Sequence, residues 1–247
     1  HPGRGLRPGH PGRGLRPGPA ELIEALGRVG FAWRLLCEDQ APPAHGAALG
    51  RHTERLRGLA RRACDPGRRP PDEVVRAWDA GTATGEGAWE LAAALLAAGA
   101  PRLEVLGTDV APLVVEMARR RTRPHDPTAT AALGAYLDAR PALLEPHRCR
   151  VSFEVHDLRA GPPLRELDLV VCHGLLGEGL PPGEALAQGL RALREALRRP
   201  LGERAGGLLS LADSFREDRA RAAGEQVRAL APELGLREVE PGVWERS

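Results

Sequence analysis

The sequence is short of aromatic side chains and has no lysine or asparagine. Only 3% of its 247 residues are Phe, Trp or Tyr, so a core must be built from Leu, Ala and Val, within an apolar content of 42%. All 35 basic side chains other than histidine are arginine, which we interpret as coding bias rather than function. The length predicts one sizeable domain, alone or with a smaller appendage.

Metal-ligand spacing is also missing. The four cysteines lie far apart without a C-x-x-C pair, and His147 with Cys149 offers too few ligands for zinc. We therefore expect no metal site, and reduced thiols in a cytoplasmic protein.

Long apolar runs and strong net charge are absent as well. No run approaches the roughly 20 apolar residues of a membrane helix, and no signal peptide is visible, so we expect no membrane insertion. A net charge of +2 creates no field that would indicate nucleic acid as a partner.

The amino-terminal third divides into two parts. Residues 1–18 repeat His-Pro-Gly-Arg-Gly-Leu-Arg-Pro-Gly twice, a composition that predicts disorder. Residues 19–70 predict a helical region, with apolar residues at helical spacing from Pro19 to Leu36, a Pro-Pro break at 42 and 43, and a second helix carrying Leu49, Leu56, Leu59 and Ala63. Its arginine-rich face is typical of a solvated helix, with docking to an acidic partner as the alternative.

Residues 71–247 are organised around one turn. The apolar run Val74–Trp78 predicts a strand, Gly81 and Gly85 predict a tight turn, and Trp89, Ala92, Leu95 and Leu96 share one face of a following helix. A second strand, Leu103–Thr108, ends at Asp109. An acidic residue at that position can accept hydrogen bonds from ribose hydroxyls. Turn and acid together indicate a cofactor that carries a nucleoside.

Glu86 distinguishes between the cofactors. A dinucleotide site needs G-x-G-x-x-G, because pyrophosphate rests on the helix N-terminus. Here the spacing is Gly81-x-x-x-Gly85, and Glu86 follows where the phosphate would lie. A carboxylate repels phosphate but suits an ammonium group. The residues therefore favour S-adenosylmethionine (SAM) over NAD, and leave a nucleotide-dependent oxidoreductase as a distant alternative.

This part of the chain resembles the chemotaxis-receptor glutamate O-methyltransferases. That family shows W-S-A-G-x-S-T-G-E-E, L-x-T-D, a strand ending in Asn-Leu and a strand ending in Cys-Arg-Asn. The matching segments are Trp78-Asp-Ala-Gly-Thr-Ala-Thr-Gly-Glu86, Leu106-Gly-Thr-Asp109, Phe153-Glu-Val-His-Asp157-Leu158 and Leu169-Val-Val-Cys172-His173.

The resemblance implies SAM as the cofactor and a set of contacts at the strand ends. Ala80, Gly81 and Glu86 would meet the methionine moiety, Asp109 the ribose, and Asp157 with Leu158 the adenine; for Asp157 a turn cap is the rival interpretation. The full set of predicted cofactor residues is Asp79, Ala80, Gly81, Thr82, Gly85, Glu86, Asp109, Val110, Asp157, Leu158 and Cys172.

The acceptor side departs from that family. Gly87 replaces the second acidic residue, and the arginine and aromatic pair after Cys172 are missing. Arg51 is the candidate for the family's arginine ahead of the core. The acceptor, a protein carboxylate or a small molecule, is unidentified, and a non-catalytic SAM-binding relative is the alternative. An ionised carboxylate needs no general base, whereas an alcohol or amine would need one, for which His173 and His156 are candidates.

The remaining pattern predicts a helix over 111–121 and a second helix near 129–138. The second helix lies in an insertion, 123–148, which either shapes a substrate pocket or only packs against the domain. Further strands are expected at 150–155, with Val151, Phe153 and Val155 inward, at 167–172 and at 206–212. Helices near 186–197 and 220–230 and a hairpin over 234–246 follow. Five βα units and this hairpin predict a mostly parallel seven-stranded sheet with one reversed edge strand, the Rossmann-like α/β class I methyltransferase fold, preceded by a small helical N-terminal region.

Overall fold

The computed structural model describes residues 18, 20–21, 23–24, 49–50, 52–124, 126–177, 179–202, 204–213 and 217–247. The repeat, most of the first predicted helix and Arg51 therefore lie outside the described residues. Residues 20, 21, 23 and 24 are helical, as the pattern after Pro19 predicts.

Beyond the helical residues near 20–24, the described chain forms six helices and seven strands. The helices are α1 (Thr53–Ala63), α2 (Glu86–Ala97), α3 (Pro112–Arg120), α4 (Pro127–Asp138), α5 (Glu184–Ala196) and α6 (Glu217–Glu233). The strands are β1 (Val74–Ala80), β2 (Arg102–Asp109), β3 (Cys149–Val155), β4 (Leu169–Leu176), β5 (Leu208–Asp213), β6 (Leu236–Glu240) and β7 (Val243–Arg246). Short 3₁₀ turns cover Pro141–Leu144 and Leu158–Ala160.

The strands form one sheet in the order β3-β2-β1-β4-β5-β7-β6. Strands β1 to β5 are parallel, and β7 pairs antiparallel with both β5 and β6. This confirms the predicted class I methyltransferase fold. The prediction of a reversed edge strand is wrong in detail, because the reversed strand β7 lies between β5 and β6, and β6 forms the edge.

Both faces of the sheet are covered. One face packs against α1 and α2, through residues that include Leu56, Leu91 and Val105. The other packs against α5 and α6, through residues that include Leu190, Val227 and Trp78. Parallel strands that are buried on both faces have continuous apolar sequences, which is why β4 could be predicted from its apolar run.

Two sequence-based expectations fail at the margins of the sheet. Val155 was expected to face inward but is 48% exposed, because it ends the edge strand β3 and pairs only with Asp109. The crossover from β3 to β4 contains a 3₁₀ turn and no α-helix, so the described chain does not contain five complete βα units. In the insertion, α4 packs Leu133 and Leu137 into the core, as the packing interpretation required.

A buried ion pair fastens the amino ends of the strands. Arg198 donates from Nη1 to Asp168 Oδ1 at 2.6 Å, and Asp168 Oδ2 accepts from the backbone N–H of Arg76 at 2.9 Å. Asp168 thereby connects the start of β4 with β1 and with the segment after α5. Burial lowers the pKa of Arg198, but the adjacent Asp168 carboxylate opposes that shift.

Asp168→Ala is expected to lower the free energy of unfolding by about 3–5 kcal/mol, because it leaves a buried guanidinium without its carboxylate. Urea denaturation measures the change. The control is Glu195→Ala, which removes the exposed pair with Arg165 and should change stability by less than about 1 kcal/mol. Equal effects of the two substitutions would contradict a structural role for the buried pair.

Candidate functional site at the carboxyl ends of the strands

The turn between β1 and α2 is fixed by backbone geometry. Gly81 and Gly85 adopt φ angles of +79° and +93°, in the left-handed region that favours glycine. The N–H groups of Gly81 and Thr82 both donate to the carbonyl of Thr108, at 2.8 Å each. The turn is thereby tied to the end of β2.

Close packing explains the choice of glycine at Gly85 and Gly107. A Cβ at position 85 would lie 2.9 Å from Ala118 Cβ and from the ring of Phe153. A Cβ at position 107 would lie 2.6 Å from Phe153 Cδ1. Phe153 of β3 therefore packs closely against both β2 and the turn, and this contact positions the turn at the end of the sheet.

Leu175 covers the first glycine of the turn. A Cβ at position 81 would lie 2.6 Å from Leu175 Cγ and within 2.9 Å of both its methyl carbons. The side chain reaches this place because β4 becomes irregular after His173, where Gly174 adopts a φ of +82°. An apolar side chain therefore borders the surface where the methionine moiety is expected.

Asp109 lies at the tip of β2, as expected. Its Oδ2 accepts from the N–H of Ala83 in the turn at 3.1 Å, and its Oδ1 accepts from the N–H of Ala111 at 3.0 Å. Burial raises the pKa of this carboxyl, while the backbone N–H groups oppose the shift. The exposed side chains of Val110 and Val155 flank it.

Glu86 lies in the first turn of α2 and is engaged by a cation. Its Oε1 is 2.7 Å from Arg123 Nε, and its Oε2 accepts from Thr84 Oγ1 at 2.7 Å. Arg123 Nε also lies 2.9 Å from Thr84 Oγ1. Glu86 is 3% exposed, so its carboxylate is held in one orientation by the turn and by the start of the insertion.

Asp79 is the penultimate residue of β1 and is 6% exposed. Its Oδ2 accepts from Thr82 Oγ1 at 2.7 Å. Burial raises the pKa of the Asp79 carboxyl to about 6; the Thr82 hydrogen bond opposes the shift, and Asp109, Glu86 and Glu90 add to it.

Glu90, one helical turn after Glu86, connects the site with the start of α1. Its Oε1 accepts from the N–H of Gly50 at 2.6 Å and from Thr53 Oγ1 at 3.3 Å. Burial raises its pKa, whereas these two hydrogen bonds lower it. The segment that precedes α1 is thereby fastened beside the cofactor turn.

Asp157 and Leu158 follow β3. The Asp157 carboxylate accepts from the backbone N–H of Arg159 at 2.9 Å and pairs with its guanidinium at 2.7 Å, and these contacts lower its pKa. Asp157 therefore caps the short 3₁₀ turn, which was the rival interpretation, and its adenine role stays a prediction. Leu158 is buried against the α5 face of the sheet.

Cys172 and His173 are the β4 residues in the predicted set. Cys172 is fully buried, which raises the pKa of its thiol to about 12. His173 Nε2 lies 2.9 Å from Ser210 Oγ, and its ring is 4.7 Å from that of His52, centroid to centroid. Burial, with His52 and Arg55 nearby, lowers the pKa of His173 to about 3, so its ring is neutral.

The described part of the chain contains no group of three or more His, Cys, Asp or Glu side chains that could hold a metal ion. None of its helices combines the length and apolarity needed to cross a membrane. The polar groups described at the carboxyl edge of the sheet lie around the turn and at the ends of β2, β3 and β4.

The comparison that decides the family concerns this same region. The family described as "CheR methyltransferase, SAM binding domain" matches residues 49–177, which include the turn, Asp109, Asp157 and the end of β4. The chain belongs to the CheR methyltransferase family. That family consists of SAM-dependent methyltransferases, so the nucleotide-dependent oxidoreductase is set aside.

Solved structures with related folds have low sequence identity to the CheR-family chain. The carbon methyltransferase CurJ is 15% identical with a TM-score of 0.46; the likeness covers 74% of this chain, which spans about half, 51%, of that one. The N-methyltransferase NodS of Bradyrhizobium japonicum WM9, bound to S-adenosylhomocysteine, is 20% identical with a TM-score of 0.47, covering 91% and 89%. The magnesium protoporphyrin IX methyltransferase of Synechocystis PCC 6803, with bound SAM, is 16% identical with a TM-score of 0.44, covering 94% and 99%. A search of the curated proteins finds no match.

Sequence reasoning missed three side chains at this site. Arg123 comes from the insertion, and nothing in its local sequence distinguishes it from the other arginines. Leu175 lies beyond the strand predicted at 167–172 and had no assigned role. Glu90 could have been found, because it follows Glu86 by four residues and shares its helix face.

The raised pKa of Asp79 makes a prediction about stability. Since its pKa rises from an ordinary value of about 4 to about 6, the folded protein binds a proton in this window that the unfolded chain does not. Stability is therefore lost as the pH rises from about 4 through about 6, and the full loss is present above that window.

Asp79→Asn, which cannot ionise but can still accept from Thr82, should stabilise the cofactor-free protein at pH 8 by about 1–3 kcal/mol, and this gain should vanish at pH 4. Urea denaturation at both pH values measures it. Asp138→Asn, an exposed carboxylate at the end of α4, is the control and should have little effect at either pH. A destabilised Asp79→Asn protein at pH 8 would contradict the inferred strain.

Proposed function

We propose that the chain binds SAM across the carboxyl ends of β1, β2 and β3 and transfers its methyl group to a carboxylate of a protein or small molecule. The observation that carries this proposal is the geometry of Asp109 beside the turn. In open α/β sheets the ligand lies outside the carboxyl ends of the strands, where Asp109 is found.

The adenosine half of SAM fits the tip of β2. A carboxylate oxygen has two lone pairs, so each Asp109 oxygen can keep its backbone N–H partner and still accept from a ribose hydroxyl. Val110 and Val155, exposed by 57% and 48%, offer apolar contacts on either side. Exposed valines beside a half-buried carboxylate suit a flat base attached to a ribose.

The methionine half is assigned to the backbone of Ala80 and Gly81 and to Glu86. The sequence argument gave Glu86 the ammonium group as its cation, but Arg123 already pairs with it. The ammonium would add a further hydrogen bond to the oriented carboxylate rather than supply its only counter-charge. Arg123 and Thr84 act here as positioning residues.

The choice of a carboxylate acceptor rests on the two candidate bases. His173 is neutral with a strongly lowered pKa, and its Nε2 is engaged with Ser210. His156 donates its Nε2–H to the Gly161 carbonyl at 2.7 Å. A carboxylate is ionised at neutral pH and needs neither. Alignment of oxygen, methyl and sulfur can itself supply several kcal/mol of barrier reduction, roughly 7–11 in well-oriented model reactions.

A non-catalytic SAM-binding relative is the second candidate, and Leu175 is the observation that favours it. This side chain covers Gly81, and it belongs to the segment after Cys172 in which the arginine and the aromatic pair of the resembling family are missing. A CheR-family protein that binds SAM but transfers no methyl group would behave in the same way in binding experiments. Only turnover separates the two candidates.

Asp109→Ala is expected to weaken SAM binding by about 1.5–3 kcal/mol, because it removes a charged hydrogen-bond acceptor. Calorimetric titration measures this, and the melting temperature monitors the fold. Asp138→Ala is the matched control and should bind SAM as the parent does. Normal SAM affinity in Asp109→Ala would contradict the assignment of the ribose.

Methyl transfer to a carboxylate is tested by the stability of the product. With SAM tritiated in the methyl group and carboxylate, alcohol and amine acceptors, we expect label on the carboxylate acceptors that mild alkali releases as methanol. At saturating SAM the rate should be nearly flat between pH 6 and 8, since the acceptor stays ionised. Alkali-stable label would indicate a nitrogen or ether oxygen instead, and bound SAM without any transfer would support the non-catalytic relative.

A further inference from the structure

Asp79 lies beneath the cofactor turn on the central strand β1, between β2 and β4. Thr82 donates to its Oδ2 from one side. On the other side a Cβ at position 87 would lie 3.0 Å from the same oxygen, so the first turn of α2 encloses the carboxylate. Asp79 can therefore influence a ligand on the turn through its charge, without being exposed to it.

Neighbouring carboxylates are better compensated than Asp79. Glu86 pairs with Arg123, Asp109 accepts from two backbone N–H groups, and Glu90 accepts from an N–H and a hydroxyl. The ion pairs within the described ranges do not include Asp79. A buried negative charge with one hydroxyl partner is poorly stabilised.

The sulfonium of SAM carries a positive charge that is opposite to that of an ionised Asp79. SAM has a sulfonium, an ammonium and a carboxylate, a net charge of +1, whereas S-adenosylhomocysteine (SAH) has lost the sulfonium and is neutral. In the proposed reaction a carboxylate electron pair forms the O–CH₃ bond, the S–CH₃ bond breaks, and its electrons stay on sulfur. No proton moves, and the positive charge of the cofactor disappears.

We propose that Asp79 is a specificity-determining residue that makes the site prefer cationic SAM to neutral SAH, and so assists release of the product. The inference rests on the proposed function. The corresponding position of the family motif is serine, which is uncharged, so the motif itself does not supply this charge. It acts through the electric field at the turn, because Asp79 itself is enclosed.

The preference should depend on pH. Other groups facing Asp79 are Asp109 on β2, Glu86 and Glu90 on α2 and Cys172 on β4, with Arg123 adjoining Glu86. Bound SAM favours the ionised form of Asp79, so SAM affinity should rise as the pH increases through about 6, the value to which burial raises its pKa. SAH leaves that equilibrium nearly unchanged.

Calorimetric titration of the full chain with SAM and with SAH, at pH 5, 6 and 7, tests the proposal. The ratio of the SAH to the SAM dissociation constant should increase about tenfold from pH 5 to pH 7, the change expected when one carboxyl of pKa about 6 becomes fully ionised on binding. In Asp79→Asn the ratio should be flat with pH and no higher than the pH 5 value of the parent. Effects of pH on groups that both ligands contact alike cancel in the ratio.

Two further variants keep the test decisive. Thr82→Val removes the hydrogen bond that lowers the pKa of Asp79, so the midpoint of the pH dependence should move upward. Glu90→Gln should keep a pH-dependent ratio. A flat ratio in the parent overturns the proposal, as does a pH dependence that persists in Asp79→Asn, since Asp109, Glu86 or Glu90 would then be responsible.

The outcomes also separate this inference from the proposed function. Binding of both ligands with a pH-independent ratio refutes the role of Asp79 alone. Failure of the parent to bind SAM and SAH at any pH refutes both. If Asp79→Asn does not fold, the pH profiles of the parent and of Thr82→Val decide. The inference requires that the ratio of dissociation constants changes with a midpoint near pH 6 in the parent, and that this midpoint lies at higher pH in Thr82→Val.

Discussion

Concentration of negative charge around one glycine turn is the constraint on which the site depends. Asp79, Glu86, Glu90 and Asp109 lie at the carboxyl ends of β1 and β2 or in the first turns of α2, and three of them raise the pKa of the fourth. Each is held by a different part of the chain: Thr82, Arg123, the start of α1, or the turn itself. The arrangement favours a cationic ligand, and SAM is the cofactor of the family to which the chain belongs.

In the role proposed for Asp79, stability and function oppose one another. Its ionised form is disfavoured in the folded protein, because β1 buries it under the turn with a single hydroxyl partner. Gly87 in α2 lies directly against its carboxylate, while Phe153 against Gly85 and Gly107 and Leu175 against Gly81 bring β3 and β4 close to the turn. The amino edge of the sheet differs, since each oxygen of the Asp168 carboxylate there accepts a hydrogen bond, one from Arg198 and one from the N–H of Arg76. Strain is therefore placed on the edge where a ligand can relieve it.

Much of the fold could be predicted because its signals are local. The run Val74–Trp78, the turn glycines and the leucines of α5 each specify an element within a few residues, and the order of elements then restricts the topology. Asp109 was predictable because strand end and acid coincide in sequence. Arg123 and Leu175 were not, because their contacts join segments distant in sequence. Val155 was assigned inward because alternation does not reveal where a strand leaves the core. The position of β7 between β5 and β6 depends on the hairpin's docking, for which the sequence has no local signal.

The central claim is that the cofactor lies across the glycine turn with its ribose on Asp109 and its methionine tail toward Glu86. A crystal structure of the chain with bound SAH tests this most directly. The account predicts both ribose hydroxyls within hydrogen-bond distance of the Asp109 carboxylate, the adenine against Val110 and Val155, and the ammonium beside a Glu86 that still contacts Arg123. SAH bound elsewhere on the sheet, or with its ribose away from Asp109, would contradict it.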